Sequence, residues 1–143
     1  MRNLFKLKNQ ENQRGVAAVE FAIVLPILAI LLIGIIEFGI VLYNKQVVTN
    51  ATREGVRAAI NPDPKLDESQ IKNIVVDSAS DMLLSTLSVG DVTVTSSNND
   101  FETREFPHNV IVNVTYEHNF LIPGFLGLGT STNISSRTLM RMF

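Results

Sequence analysis

From Val16 to Ile36 the chain runs for 21 residues with a single charge, Glu20, and from Phe21 to Ile36 it has no charged or strongly polar residue at all. At about 1.5 Å per residue, a helix of that length spans roughly 30 Å, the thickness of a bilayer's hydrocarbon core. A chain of 143 residues has too little other sequence to enclose such a helix on every side, so the run predicts a transmembrane helix and not a buried core helix. Pro26 is compatible with that reading, because membrane helices tolerate proline where neighbouring groups serve the freed carbonyl. It predicts a kink or a softened turn at that point.

Charge gives the run a direction. Arg2, Lys6, Lys8 and Arg14 against Glu11 put +3 on the first fifteen residues, which leaves −5 on the rest of a chain whose net charge is −2. Basic residues before the apolar run, with no such cluster directly after it, place the N-terminus in the cytoplasm and the residues beyond about 40 outside the inner membrane. Tyr43, Asn44 and Lys45 read as the exit point. An ordinary secretory signal has a shorter apolar stretch followed by a small-residue cleavage site. Here the run is longer, EFGIVLYNK after it offers no Ala-x-Ala pattern, and the small residues Gly15, Ala17 and Ala18 precede it. A cut there would remove the polar leader and leave the membrane helix on the mature chain. The acidic body is a poor fit to nucleic acid, which requires clustered Lys and Arg.

Beyond the membrane run the helix is expected to continue to Ile60, about 65 Å in all. Val47, Val48, Ala51, Gly55, Ala58 and Ala59 keep a helix-period stripe suited to a stem against which a small domain packs. Asn61-Pro62 and Asp63-Pro64 stop it. Asp67-x-x-Gln70 has the form of a capping box, and Ile71, Ile74, Val75, Ala79, Met82, Leu83 and Leu87 trace an apolar face that Gly90 is expected to end. Alternation over Asp91–Ser96 and Asn109–Phe120, with Val110, Val112, Val114 and Tyr116 on one side, and a last segment at about Thr132–Arg141 predict an antiparallel sheet of three or four strands. SSNND, residues 96–100, reads as a hairpin connection. The fold class is therefore α+β: a long N-terminal transmembrane and stem helix, a second amphipathic helix and a small antiparallel sheet. Residues 61–143, with the end of the stem, suffice for a modest core. FLIPGFLGLG, residues 120–129, is unusually apolar for a glycine-rich loop; it either tucks under the sheet, the preferred reading, or meets a neighbouring subunit or the membrane surface.

Catalytic or ligand chemistry leaves no trace in the pattern. There is no cysteine, hence no disulfide framework and no thiolate metal site. His108 and His118 lack a companion motif and read as solvated or core imidazoles. Asp63, Asp67 and Glu68 lack the alternating oxygens and central glycine of an EF-hand loop and read as a solvated turn and helix start. No glycine-rich loop is placed to hold a phosphate. The expectation is a non-enzyme without catalytic residues, cofactor or metal.

A basic leader ending in Gly15, then an apolar helix with glutamate at its fifth position counted from Val16, resembles the type IV prepilins. More specifically, residues 14–59 resemble the TadE-like family of the tight-adherence (Flp) pilus machinery. The resemblance rests on Glu20–Phe21, Pro26, the second Glu-Phe-Gly at Glu37–Gly39, and Asn-Ala-x-Arg-Glu-Gly at Asn50–Gly55. Major Flp pilins pair the glutamate with tyrosine and carry little sequence after the helix; Phe21 and the long C-terminal body point instead to a minor pilin or pseudopilin. The resemblance implies cleavage between Gly15 and Val16 by a prepilin peptidase. It also implies partners among other minor pilins, the major pilin and the inner-membrane assembly platform, in addition to membrane lipid. The expected divisions are a leader over 1–15, a transmembrane and stem helix over 16–60, and a periplasmic α+β domain over 61–143.

The chemistry of Glu20 follows from its position. Cleavage before Val16 creates an α-amino group, largely protonated near neutral pH. Between neighbouring helices staggered in a filament, the carboxylate of one subunit can meet the amine of another, so Glu20 and Phe21 are the expected assembly residues. Glu37, about 25 Å further along the helix, is expected near the outer boundary within reach of water. A contact with a partner helix, eased by Gly34 and Gly39, is the lesser reading. An alternative for the whole chain is a permanently anchored periplasmic accessory subunit that keeps its leader and never enters a filament. A membrane-tethered enzyme is a third class and would need a constellation that the sequence lacks.

Overall fold

A computed structural model describes residues 2–61, 65–96, 108–122 and 129–142; for residues 2–14, His108 and Met142 it describes the backbone alone. The elements follow in the order helix α1 (Arg2–Ile60), helix α2 (Glu68–Ser80), a short 3-10 turn (Val89–Asp91), and strands β1 (Val92–Ser96), β2 (His108–Asn119) and β3 (Ser131–Met142). This is the expected α+β arrangement, with three strands in the sheet among the described residues. The chain divides into two compact units, Met1–Phe38 and Gly39–Phe143, so the later part of α1 belongs with the sheet.

In the first unit α1 is helical from Arg2, through the basic leader and through Pro26. The proline has no N–H to offer the carbonyl of Ala22 one turn back, and the helix nevertheless continues across it.

In the second unit a core assembles on one face of the sheet. The strands are antiparallel in the order β1-β2-β3, with Val92 opposite Val114 and Val94 opposite Val112, and Val114 opposite Ser136 and Tyr116 opposite Ile134. Because side chains alternate along a strand, Val110, Val112, Val114, Tyr116 and His118 all point to one side and all are buried. Against them pack Val47, Val48, Ala51, Val56 and Ala59 of α1 and Ile71, Val75 and Ala79 of α2. The latter three recur every four residues, the spacing that keeps one helix face inward. Burying a side chain such as Ile71, fully enclosed here, contributes about 1.5–3 kcal/mol.

Gly55 shows how closely the helices approach. A Cβ at that position would overlap Val75 Cγ2 and stand 3.7 Å from Val112 Cγ1. Glycine is what lets α1 pass between α2 and β2.

The capping box is present as read. Asp67 Oδ1 accepts from Gln70 N at 2.7 Å, and Gln70 Oε1 accepts from Asp67 N at 2.9 Å. Glu68 pairs with Lys72 at 2.7 Å, one turn on, so Asp67 and Glu68 form a helix start, as expected; Asp63 lies outside the described residues.

The far end of α2 differs from the expectation. The helix stops at Ser80, and Met82, assigned to its apolar face, is exposed. Two serine hydroxyls bond to the backbone in its last turns. Ser78 Oγ donates to Ile74 O at 2.6 Å and Ser80 Oγ to Asp77 O at 3.2 Å. Leu87 is buried all the same, but from a non-helical segment fixed by Tyr116, whose hydroxyl oxygen accepts from Ser85 N at 3.0 Å and lies 2.9 Å from Ser85 Oγ. Gly90 sits in the 3-10 turn and ends no helix.

Two loop expectations fall largely outside the described residues. Of SSNND only Ser96 is described, at the end of β1, and its pairing with Val110 makes the connection longer than that stretch. Of FLIPGFLGLG, residues 123–128 lie outside. Leu121 and Ile122 are 58% and 40% exposed, so this part of the segment does not tuck under the sheet.

Candidate functional site

The residues singled out for cleavage and assembly lie on the solvent-facing surface of α1. Gly15, Val16, Glu20 and Phe21 are all exposed. Val16 and Glu20 are four residues apart in continuous helix, which stacks them on one face. The most apolar window of the helix has mean hydropathy 2.9 and none of it is buried. A core helix of comparable composition would be covered; this one presents Phe21, Ile23, Ile27 and Ile35 outward, the pattern of a surface solvated by lipid. Among the described residues it is the one helix long and apolar enough to cross a membrane, as a single-pass membrane protein requires.

Gly34 and Gly39 have open space where a Cβ would stand, so the helix surface there is free of bulk. Glu37 departs from expectation. It is 9% exposed, whereas a residue reaching into water had been expected at that depth.

The second unit holds a polar contact inside its core. Asn44 is fully buried and His118 is 1% exposed, and Asn44 Nδ2 lies 3.1 Å from His118 Nδ1. With the amide nitrogen donating, the ring carries its proton on Nε2. Asn44 Oδ1 is buried with no hydrogen-bond partner among the described residues, and such an orphan costs more than a neutral hydrogen bond returns. The edge of His118 also packs on Phe120, with ring centroids 5.6 Å apart. Beside it, Lys45 Nζ donates to the carbonyl of Ser135 on β3. His118 is therefore a core imidazole, one of the two readings open for it; the side chain of His108 lies outside those described.

Asn44 was read only as part of the membrane exit, and its packing role was missed. The signal is its spacing. Val41, Asn44, Val48, Ala51 and Gly55 follow intervals of three and four, and all five are buried or half-buried, so Asn44 occupies an inward position of the stem. Glu37, four residues before Val41, continues the same series.

Polar residues gather at one further place. A cavity of about 400 Å³ is lined by residues including Ser85, Asp91, Thr93, Thr115, Glu117 and Asn133. Its acids already serve the fold, since Asp91 Oδ2 accepts from Ser88 N at 2.8 Å and Glu117 Oε1 from Ser131 Oγ at 2.7 Å. Among the described residues no three His, Asp or Glu side chains gather as a metal site would require.

The exposed apolar helix, with its early glutamate and the glycine before it, is the part of the chain that a family comparison matches. Residues 15–57 match the family described as TadE-like protein. They are a TadE-like segment. It covers less than a third of the chain, and Gly15, Val16, Glu20, Phe21, Gly34, Glu37 and Gly39 all fall inside it, as do Asn44 and Gly55. The sheet and α2 lie beyond it. No curated protein and no solved structure matches the chain. The likeness to the TadE-like family is therefore a property of the N-terminal helix, residues 15–57.

Proposed function

We propose that this chain is a minor pilin or pseudopilin of a tight-adherence pilus, made as a prepilin, cut between Gly15 and Val16 by a prepilin peptidase, and assembled through its N-terminal helix. It waits in the inner membrane with its basic leader in the cytoplasm and its α+β domain in the periplasm. The observation that carries this reading is the TadE-like match over residues 15–57 on a helix that leaves Val16, Glu20 and Phe21 uncovered. The role is structural; the helix anchors and assembles, and the domain meets other minor pilins, the major pilin and the assembly platform.

Glu20 supplies the register. Once Val16 is the first residue, its ammonium and the Glu20 carboxylate of a neighbouring subunit attract by about 4 kcal/mol at 4 Å and an effective dielectric near 20, before desolvation is counted. A lone charge at the bilayer centre costs about 2.5–3.5 kcal/mol, and less towards the interface where Glu20 sits. The subunit therefore tolerates its acid while alone and gains from pairing it on leaving lipid for a bundle of helices.

The test is Glu20→Ala expressed beside the wild-type pilus components. The variant is expected to be processed and inserted normally and to be absent from sheared pili. Its incorporation at the wild-type level would overturn the pairing.

A further inference from the structure

Two contacts fix the direction of the stem on the sheet. Asn44 of α1 meets His118 near the end of β2, and Gly55, eleven residues later on α1, approaches Val112, six residues earlier on β2. The stem thus runs antiparallel to β2, and the β2–β3 end of the sheet lies at the start of the stem. Phe120, whose N–H donates to Thr130 O at 3.0 Å, is two residues beyond His118. At about 3.3 Å per strand residue that is about 7 Å, the rise of four or five helix residues, which puts it level with Gly39 and Ile40.

That level has a chemical meaning. Leu42 and Tyr43 are exposed on the stem there, 53% and 52%, and Lys45 follows them. An aliphatic, an aromatic and a cation in that order are the composition of a helix leaving hydrocarbon for headgroups. Leu121 and Ile122, which directly follow Phe120, are exposed at the end of the sheet. Two adjacent exposed aliphatics at the end of a strand form a small apolar patch of a kind that a bilayer surface can cover.

We infer that Leu121 and Ile122 dip into the lipid headgroup region beside the exit of α1 and give the domain a second membrane contact. The occupant is lipid because the pair directly follows Phe120, which stands level with Gly39 and Ile40, on the membrane side of Leu42 and Tyr43. Asn44, His118 and the Lys45–Ser135 contact hold the end of the sheet at this level on the stem. The inference rests on the membrane-spanning reading of α1 and extends it to the sheet.

The chain has no cysteine, so single labels are unambiguous. The full-length variants Ile122→Cys, Arg53→Cys and Leu28→Cys, each carrying an environment-sensitive fluorophore, are reconstituted in phosphatidylethanolamine–phosphatidylglycerol vesicles with or without a lipid bearing a shallow nitroxide. The Ile122 label is expected to be quenched several-fold more than the Arg53 label on the water-facing stem. Equal quenching at Ile122 and Arg53, with Leu28 quenched by a deep nitroxide, would overturn this inference and leave the spanning helix intact. A blue-shifted but unquenched Ile122 label would also overturn it, because protein and not lipid would then cover the site. If the Leu28 label escapes the deep nitroxide, the spanning reading itself fails and takes the second contact with it.

Discussion

Asn44 and His118, 74 positions apart in sequence, meet at 3.1 Å inside the core and join the stem helix to the central strand. A purely apolar contact at this position would let the helix slide along the valine-lined sheet with little penalty. A buried polar pair has one register in which it is satisfied, the device by which a single inward asparagine fixes alignment in helix bundles.

Asn44→Ala should leave a buried ring nitrogen without its donor, at a cost of about 1–3 kcal/mol. His118→Ala removes the pair and its packing together. Thermal denaturation in detergent of both single variants and the double variant should reveal a coupling of roughly 0.5–3 kcal/mol. Strict additivity would show that the contact contributes nothing to holding stem and sheet together.

Gly55→Ala should destabilise despite alanine's advantage of about 1 kcal/mol in a helix. The new methyl group meets Val75, which is fully buried and stiff about its Cβ, and overpacking of this kind costs about 1–3 kcal/mol. Adding Val75→Ala should make room, so the double variant should lose less stability than the two singles combined.

Much of this framework was legible in the chain. The 21-residue apolar run, the Asp67–Gln70 box and the alternation of Val110, Val112, Val114 and Tyr116 each follow from a local period or cap, and each appears where it was expected. The misses share a cause. The chain leaves the helix after Ser80 while Tyr116, on a distant strand, holds Ser85, a contact that no local period encodes. Asn44 was read as polar and therefore as exit, although its spacing from Val41 and Val48 turns it inward. For Glu37, depth along the helix suggested water, whereas its place in the same three-and-four series agrees with burial.

The Asp67 cap predicts a pH dependence. The N–H of Gln70 first, and the hydroxyl of Ser69 second, favour the carboxylate and hold its pKa below the ordinary 3.8. A lowered folded-state pKa means that the cap's contribution is complete above the ordinary carboxylate value. It is lost as pH falls through the lowered one. Melting temperatures should therefore fall on acidification below about pH 4. Asp67→Ala should melt lower at neutral pH and lose the part of that acid sensitivity due to the cap. Asp67→Ser should keep most of the neutral-pH stability, since serine also caps well.

Tyr116→Phe removes only the hydroxyl that holds Ser85. A cost of about 0.5–1.5 kcal/mol is expected, and the Ser85 amide should exchange with solvent faster while the amides of Val112 and Val114 keep their protection. Uniform acceleration across β2 would indicate a global defect instead.

The central claim concerns the junction between Gly15 and Val16, and N-terminal sequencing of the protein extracted from the membranes of cells that assemble pili tests it most directly. A mature chain that begins at Val16, with Glu20 as its fifth residue, is the expected result. A chain that still begins at Met1 while pili form normally would contradict it and identify a permanently anchored subunit.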